Sequence, residues 1–171
     1  MEKLRNTKTL TLAAMLTAIG IVLGFFKIPL SQIIEIRFGS LPLGVAGMSL
    51  GPGIAGIIGA LIDVGGYLVK PTGPFFPGFT VSGIVGGLIF GAILYKKELS
   101  IPRVTIAVLV HTFVVGIIMN TFWLDFMYIK AGFLNTLWVR LPKELAMIPI
   151  NIVLLYFLLA AFSRVKDYAN A

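Results

Sequence analysis

Charged and uncharged positions alternate along this chain in long blocks, and the blocks predict its elements. Uncharged, mostly apolar runs extend over 9–26, 38–62, 71–95, 104–124 and 145–163. A bilayer core takes roughly 20 helical residues, so four of these runs each hold one span. The exception is 38–62, which continues past Asp63 to Val69 and is too long for a single helix. Gly51-Pro52-Gly53 lies inside it and breaks a helix at that point. The pattern therefore predicts a compact all-α bundle of six transmembrane helices, at about 9–26, 38–50, 53–69, 79–95, 103–124 and 143–163. It forms one domain over 1–171, and both termini fall on one side.

Composition makes lipid the solvent. Hydrophobic residues are 58% of the chain, charged residues 12%, and the mean hydropathy is +0.99, whereas soluble domains carry about 25% charged residues. Lysine and arginine set the orientation. With the N-terminus cytoplasmic, Lys3, Arg5, Lys8, Lys96, Lys97, Arg103, Arg164 and Lys166 lie inside. Lys27, Arg37, Lys70, Lys130, Arg140 and Lys143 then lie outside, where cations should be scarce. The net charge of +7 is no nucleic-acid signal, because no basic run exceeds two adjacent residues. The first apolar run ends in Phe25-Phe26-Lys27 without an A-x-A exit, so it is expected to remain as a span. Cysteine is absent, which excludes disulfides, thiol catalysis and thiolate metal sites.

Within the spans, Ala14 and Ala18 sit four apart on the first helix, where small residues let another helix approach closely. Spacing alone leaves open whether that neighbour is internal or a partner chain. Asp63 is the one acid well inside an apolar run, with Tyr67 one turn later on the same face. Intramembrane acids usually face the bundle interior and mark a site; the alternative is a helix-end pairing. His111 stands without a second histidine or an acid nearby and reads as a packed or interfacial side chain rather than a metal ligand. The stretch Lys70 to Thr80 concentrates proline, glycine and phenylalanine, with Phe79 and Thr80 leading into the fourth helix. It is either a pocket wall or lid, or an interfacial turn anchored by aromatics. The segment 125–142 is the longest polar excursion and contains Trp138 and Arg140, entered from Asn120 and Trp123 and followed by Lys143. Cations beside flat aromatic rings suit an anionic, planar ligand.

Energy-converting chemistry is missing. No GxxxxGK[ST] loop, HExxH, GxSxG or paired intramembrane aspartates occur. The spans also lack a relay of ionisable groups or a filter sequence. The expectation is a non-catalytic membrane protein, without cofactor or metal, that binds something and takes its energy from partners.

Several segments together resemble a known family. They are Ala14/Ala18, Arg37-Phe38-Gly39-Ser40-Leu41-Pro42, Gly59-Ala60-Leu61-Ile62-Asp63, Pro71 through Thr80, Asn120-Thr121-Phe122-Trp123 and Arg140-Leu141-Pro142-Lys143. The chain is similar, over about 9–163, to the S components of energy-coupling factor (ECF) transporters, and among them to the folate-specific branch. That resemblance implies a six-helix vitamin-binding subunit of a prokaryotic cell membrane. Such a subunit works with a transmembrane coupling subunit and two cytoplasmic ATPases, and it tips in the membrane to deliver its substrate. It makes Ala14 and Ala18 contacts to the coupling subunit. Folate has a flat pterin, a benzoyl ring and a dicarboxylate tail. Arg37, Arg140 and Lys143 would neutralise the tail, while Phe79, Trp123 and Tyr67 would bracket the rings. Asp63 or Asn120 would meet the pterin donors, with Thr80 beside them. Arg37 and Lys143 have competing partners in Glu35 and Glu144, and the 27–37 loop is either a gate over the cavity or plain interfacial structure. The alternatives are an S component for another anionic vitamin such as pantothenate, and a membrane scaffold that binds no ligand.

Overall fold

Gly51 turns the chain between two helices where the sequence places its break. In the computed structural model its φ is +90°, and Pro52 follows at the first position of the next helix, where a missing N–H costs nothing. The structure describes residues 7–25, 28–29, 35–36, 38–71, 74–130 and 132–170, without the side chains of 28–29, 35–36, 128 and 165–170. Helices α1 (Thr7–Phe25), α2 (Ser40–Leu50), α3 (Pro52–Val69) and α4 (Pro77–Leu94) follow one another. Between α1 and α2, strands β1 (Ile28–Pro29) and β2 (Glu35–Ile36) form a two-residue antiparallel pair. The fifth rod, α5, is composite. It opens as α-helix over Ile101–His111, is π-wound over Thr112–Met119, returns to α over Asn120–Leu124, and closes with a π turn over Asp125–Ile129. The last helix, α6, runs over Phe133–Asn170.

Five of these helices are long and apolar enough to cross a membrane, and α2 is a shorter apolar helix. Large apolar side chains face outward along them, among them Leu68 (74% exposed) and Phe157 (68%). An outer surface of that kind is stable against acyl chains and would aggregate in water. The inner core gathers Ala46, Ala55, Ile58, Phe90, Ala107, Leu155 and Leu159. His111 packs here, stacked on Phe90 at 4.7 Å between ring centroids.

The last helix departs from expectation. Its start lies ten residues before the expected 143, so most of the 125–142 excursion is helix. Polar residues do not end a helix when their side chains find partners, and here they do. Thr136 Oγ1 donates to Asp125 Oδ1 at 2.9 Å, and Arg140 is bonded to α5. Pro142 and Pro149 lie inside α6, as membrane helices tolerate. The real turn is short, made by Lys130 (φ +48°) and Gly132 (φ +94°).

Helices α3 and α4 meet backbone to backbone. A methyl group at Gly59 would collide with the carbonyl of Gly83, one at Gly87 with that of Ala55, and one at Gly91 with Pro52. Where lipid removes the hydrophobic drive between helices, such close packing supplies the attraction. Replacing Gly59 by leucine should therefore force the pair apart and lower the thermal midpoint in detergent by an overpacking cost of about 1–3 kcal/mol or more. Gly66, on the same helix with nothing within 4 Å of its would-be methyl, should accept alanine with no loss. A Gly59→Leu protein as stable as the parent would show that this contact does not hold the bundle.

Candidate functional site

The antiparallel run of α3 against α4 carries Asp63 beside Thr80. Thr80 Oγ1 donates to Asp63 Oδ2 at 2.7 Å, so the intramembrane acid faces a neighbouring helix in the bundle. Two residues along α4, Ser82 is buried and its Oγ accepts the indole N–H of Trp123 at 3.1 Å. Residues of α3, α4 and α5 thus converge at one end of the bundle.

The proline-rich connection packs against this group. The Phe76 ring lies 5.4 Å from Trp123, 6.0 Å from Phe79 and 6.3 Å from Phe126. Gly78 makes that approach possible. A methyl there would overlap Phe76 and stand 2.7 Å from the Trp123 indole. Tyr67 pairs instead with Phe75 at 5.1 Å. The aromatic stretch therefore supplies a wall beside Trp123 as well as rings at the protein surface.

A second polar cluster lies across α5. Arg140, 5% exposed, donates through Nη1 to Thr121 Oγ1 at 2.7 Å and, at a longer 3.4 Å, to the Gly116 carbonyl. Its Nη2 donates to Glu144 Oε1 at 3.0 Å, and Lys143 Nζ reaches the same oxygen at 2.9 Å. The Arg140 guanidinium is thus turned into α5. The Lys143 ammonium, its side chain 17% exposed, lies nearer the surface. The pairing of Lys143 with Glu144 is present, in a half-buried setting. Asn120 leaves its side-chain oxygen buried with no hydrogen-bond partner among the described residues, an acceptor in search of a donor.

The two clusters join on the short α-wound piece Asn120–Leu124, since Thr121 serves Arg140 and Trp123 serves Ser82. Of the residues singled out from sequence, Asp63, Thr80, Phe79 and Trp123 come together, with Asn120, Arg140 and Lys143 in the second cluster and Tyr67 on the rim. Arg37 lies outside the described residues. Phe76, Ser82, Thr121 and Glu144 were not singled out as site residues. Phe76 had a signal in the aromatic stretch, but a single hydroxyl in an apolar helix has none. Among the described residues a cavity of about 210 Å³ lies at the other end of the bundle, lined in part by Ser49, Lys96, Lys97 and Phe162.

On α1 the buried positions are Ala13, Leu16 and Gly20. Gly20 faces the Ile62 side chain of α3, which a methyl would overlap. Ala14 and Ala18 are exposed, so the alanine pair is not the internal packing face.

Known proteins agree with this architecture. The family model for the ECF transporter, substrate-specific component, matches residues 8–159. The folate transporter FolT of Clostridium novyi (strain NT) is 39% identical over 154 residues, which cover 90% of this chain and 88% of that protein. A folate transporter FolT of Leuconostoc mesenteroides is 31% identical over 159 residues, covering 90% and 85%. A crystal structure of FolT bound with folic acid superposes with a TM-score of 0.82 at 36% identity, over 90% of this chain and 93% of that one. With six helices among the described residues, an apolar outer surface and matches along nearly its whole length, the chain belongs to the substrate-specific (S) components of ECF transporters and is similar within them to the folate transporters.

Proposed function

We propose that this protein is the folate-binding S component of an ATP-driven ECF importer in a prokaryotic cell membrane, with both termini cytoplasmic. The observation that carries the reading is the convergence of Asp63, Thr80, Ser82 and Trp123 in a chain with 36% identity to a folic acid-bound FolT. The pterin is flat and rich in N–H donors. Asp63 and the unpartnered Asn120 oxygen are acceptors for those donors, and Trp123, Phe79 and Phe76 offer ring faces and edges beside them. Tyr67 borders the rings from α3. The tail carboxylates fall to Arg37 and Lys143, with Arg140 adding buried positive charge behind them. The ligand itself is the only small molecule required, and no cofactor enters.

Membership of the family supports a reading of delivery. The outward Ala14/Ala18 face is small enough for close contact with a helix of the transmembrane coupling subunit. Two cytoplasmic ATPases bound to that subunit supply the energy, and the S component reorients as a body to release folate inside.

Folate added to the purified chain should quench Trp123 emission at micromolar concentration or below. A folded protein that gives no response to folate but responds to pantothenate would transfer the reading to that vitamin. Asp63→Asn keeps the shape but loses the charge-assisted hydrogen bond, worth about 1.5–3 kcal/mol. It should weaken folate binding roughly tenfold to a hundredfold, measured by the same titration. Tryptophan at both Ala14 and Ala18 should abolish uptake by the complete transporter while the isolated chain still binds folate. Loss of binding in that variant would mean that the face supports the fold rather than a partner.

A further inference from the structure

Glu144 has no part in the binding scheme above, yet with Arg140 it is one of the two buried charged side chains among the described residues, at 7% exposure. Burying an ion pair adds little net stability, because desolvation offsets the attraction. Its connections point to a different purpose. Oε1 accepts from Arg140 Nη2 and from Lys143 Nζ, one carboxylate oxygen between two cations. Oε2 lies against the α5 backbone, where a methyl on Gly116 would stand 3.0 Å away. Arg140, held from below, reaches two points on α5. One is the Gly116 carbonyl inside the π-wound stretch, and the other is the hydroxyl of Thr121, between Asn120 and Trp123.

Those two points bracket the change of winding. A π-wound stretch takes more residues per turn than an α-helix. The direction of every side chain beyond it therefore depends on how many residues are wound that way. Reverting by one residue would rotate Asn120 and Trp123 by about 100° around the helix axis. That would carry the indole away from Ser82.

We propose that Glu144 is a positioning residue: through Arg140 it locks the π-wound register of α5 and so aims Asn120 and Trp123 at the ligand. The affinity part of the test rests on the folate reading, while the register part does not.

The test uses a Trp138→Phe background. Trp138 is 71% exposed, and removing it leaves Trp123 as the sole tryptophan. In the full-length protein, Glu144→Gln should shift the Trp123 emission maximum without ligand and weaken folate binding by about tenfold or more, the scale of a small misplacement. Glu144→Asp, which keeps the charge, should recover part of both. The paired replacement Arg140→Leu with Glu144→Leu removes the lock without leaving either of these two buried charges facing the gap of the other, and only the more exposed Lys143 loses a partner. It should stay folded and reproduce both changes. A folded double variant with parental emission and parental affinity overturns the proposal, as does an affinity loss with unchanged Trp123 emission. If the parent itself shows no folate response, the ligand reading has failed, and the emission comparison alone decides whether the lock exists.

Discussion

Direct backbone contact between α3 and α4 sets the register on which the site depends. The two helices run antiparallel with Gly59 against Gly83, Ala55 against Gly87 and Pro52 against Gly91. Each step of about a turn along α3 is matched by a similar step back along α4. Continuing that sequence beyond Gly59 brings Asp63 to Thr80, and these are the residues joined at 2.7 Å. The polar contact is thus placed by apolar packing that begins one turn away and continues for two turns more. In lipid, close fit between small residues is one of the main forces that align two helices. A slip of one turn would leave Asp63 facing a position with no hydroxyl, at the cost of the Thr80 hydrogen bond.

Polar groups elsewhere follow the same logic of mutual satisfaction. The surface of the bundle is apolar, while Ser82, Thr121, Thr136, Arg140 and Glu144 are all buried. Each makes a hydrogen bond across helices or within the Arg140 cluster. The alanine pair on α1 sits apart from this network and faces outward. The polar clusters and the outward alanine face are therefore separate surfaces of the bundle.

Much of this was legible in the chain. Block lengths of uncharged residues located the spans, and Gly51-Pro52-Gly53 marked the turn between α2 and α3, because both signals arise from local backbone and solvation physics. Asp63 and Trp123 stood out because a charge or an indole in an apolar run is unusual. The start of α6 was not legible. Its polar residues resemble a loop until Thr136 and Arg140 are seen to bond to α5, and that information lies eleven or more residues away. Ser82 and Thr121 could not be told from any other small hydroxyl, since their role exists only in the partner each meets. The π winding of α5 had no sequence mark at all, as its residues would serve an ordinary helix equally well.

That winding carries a consequence for comparing members of the family. Over Thr112–Met119 the chain holds more residues than the same length of α-helix requires. A relative could therefore lose a residue here while keeping both ends of its fifth helix where they are. Position numbers on either side of such a deletion would then disagree, although the side chains occupied the same places. Equivalence between residues of this helix is better traced from the Ser82–Trp123 and Thr121–Arg140 contacts than by counting along the chain.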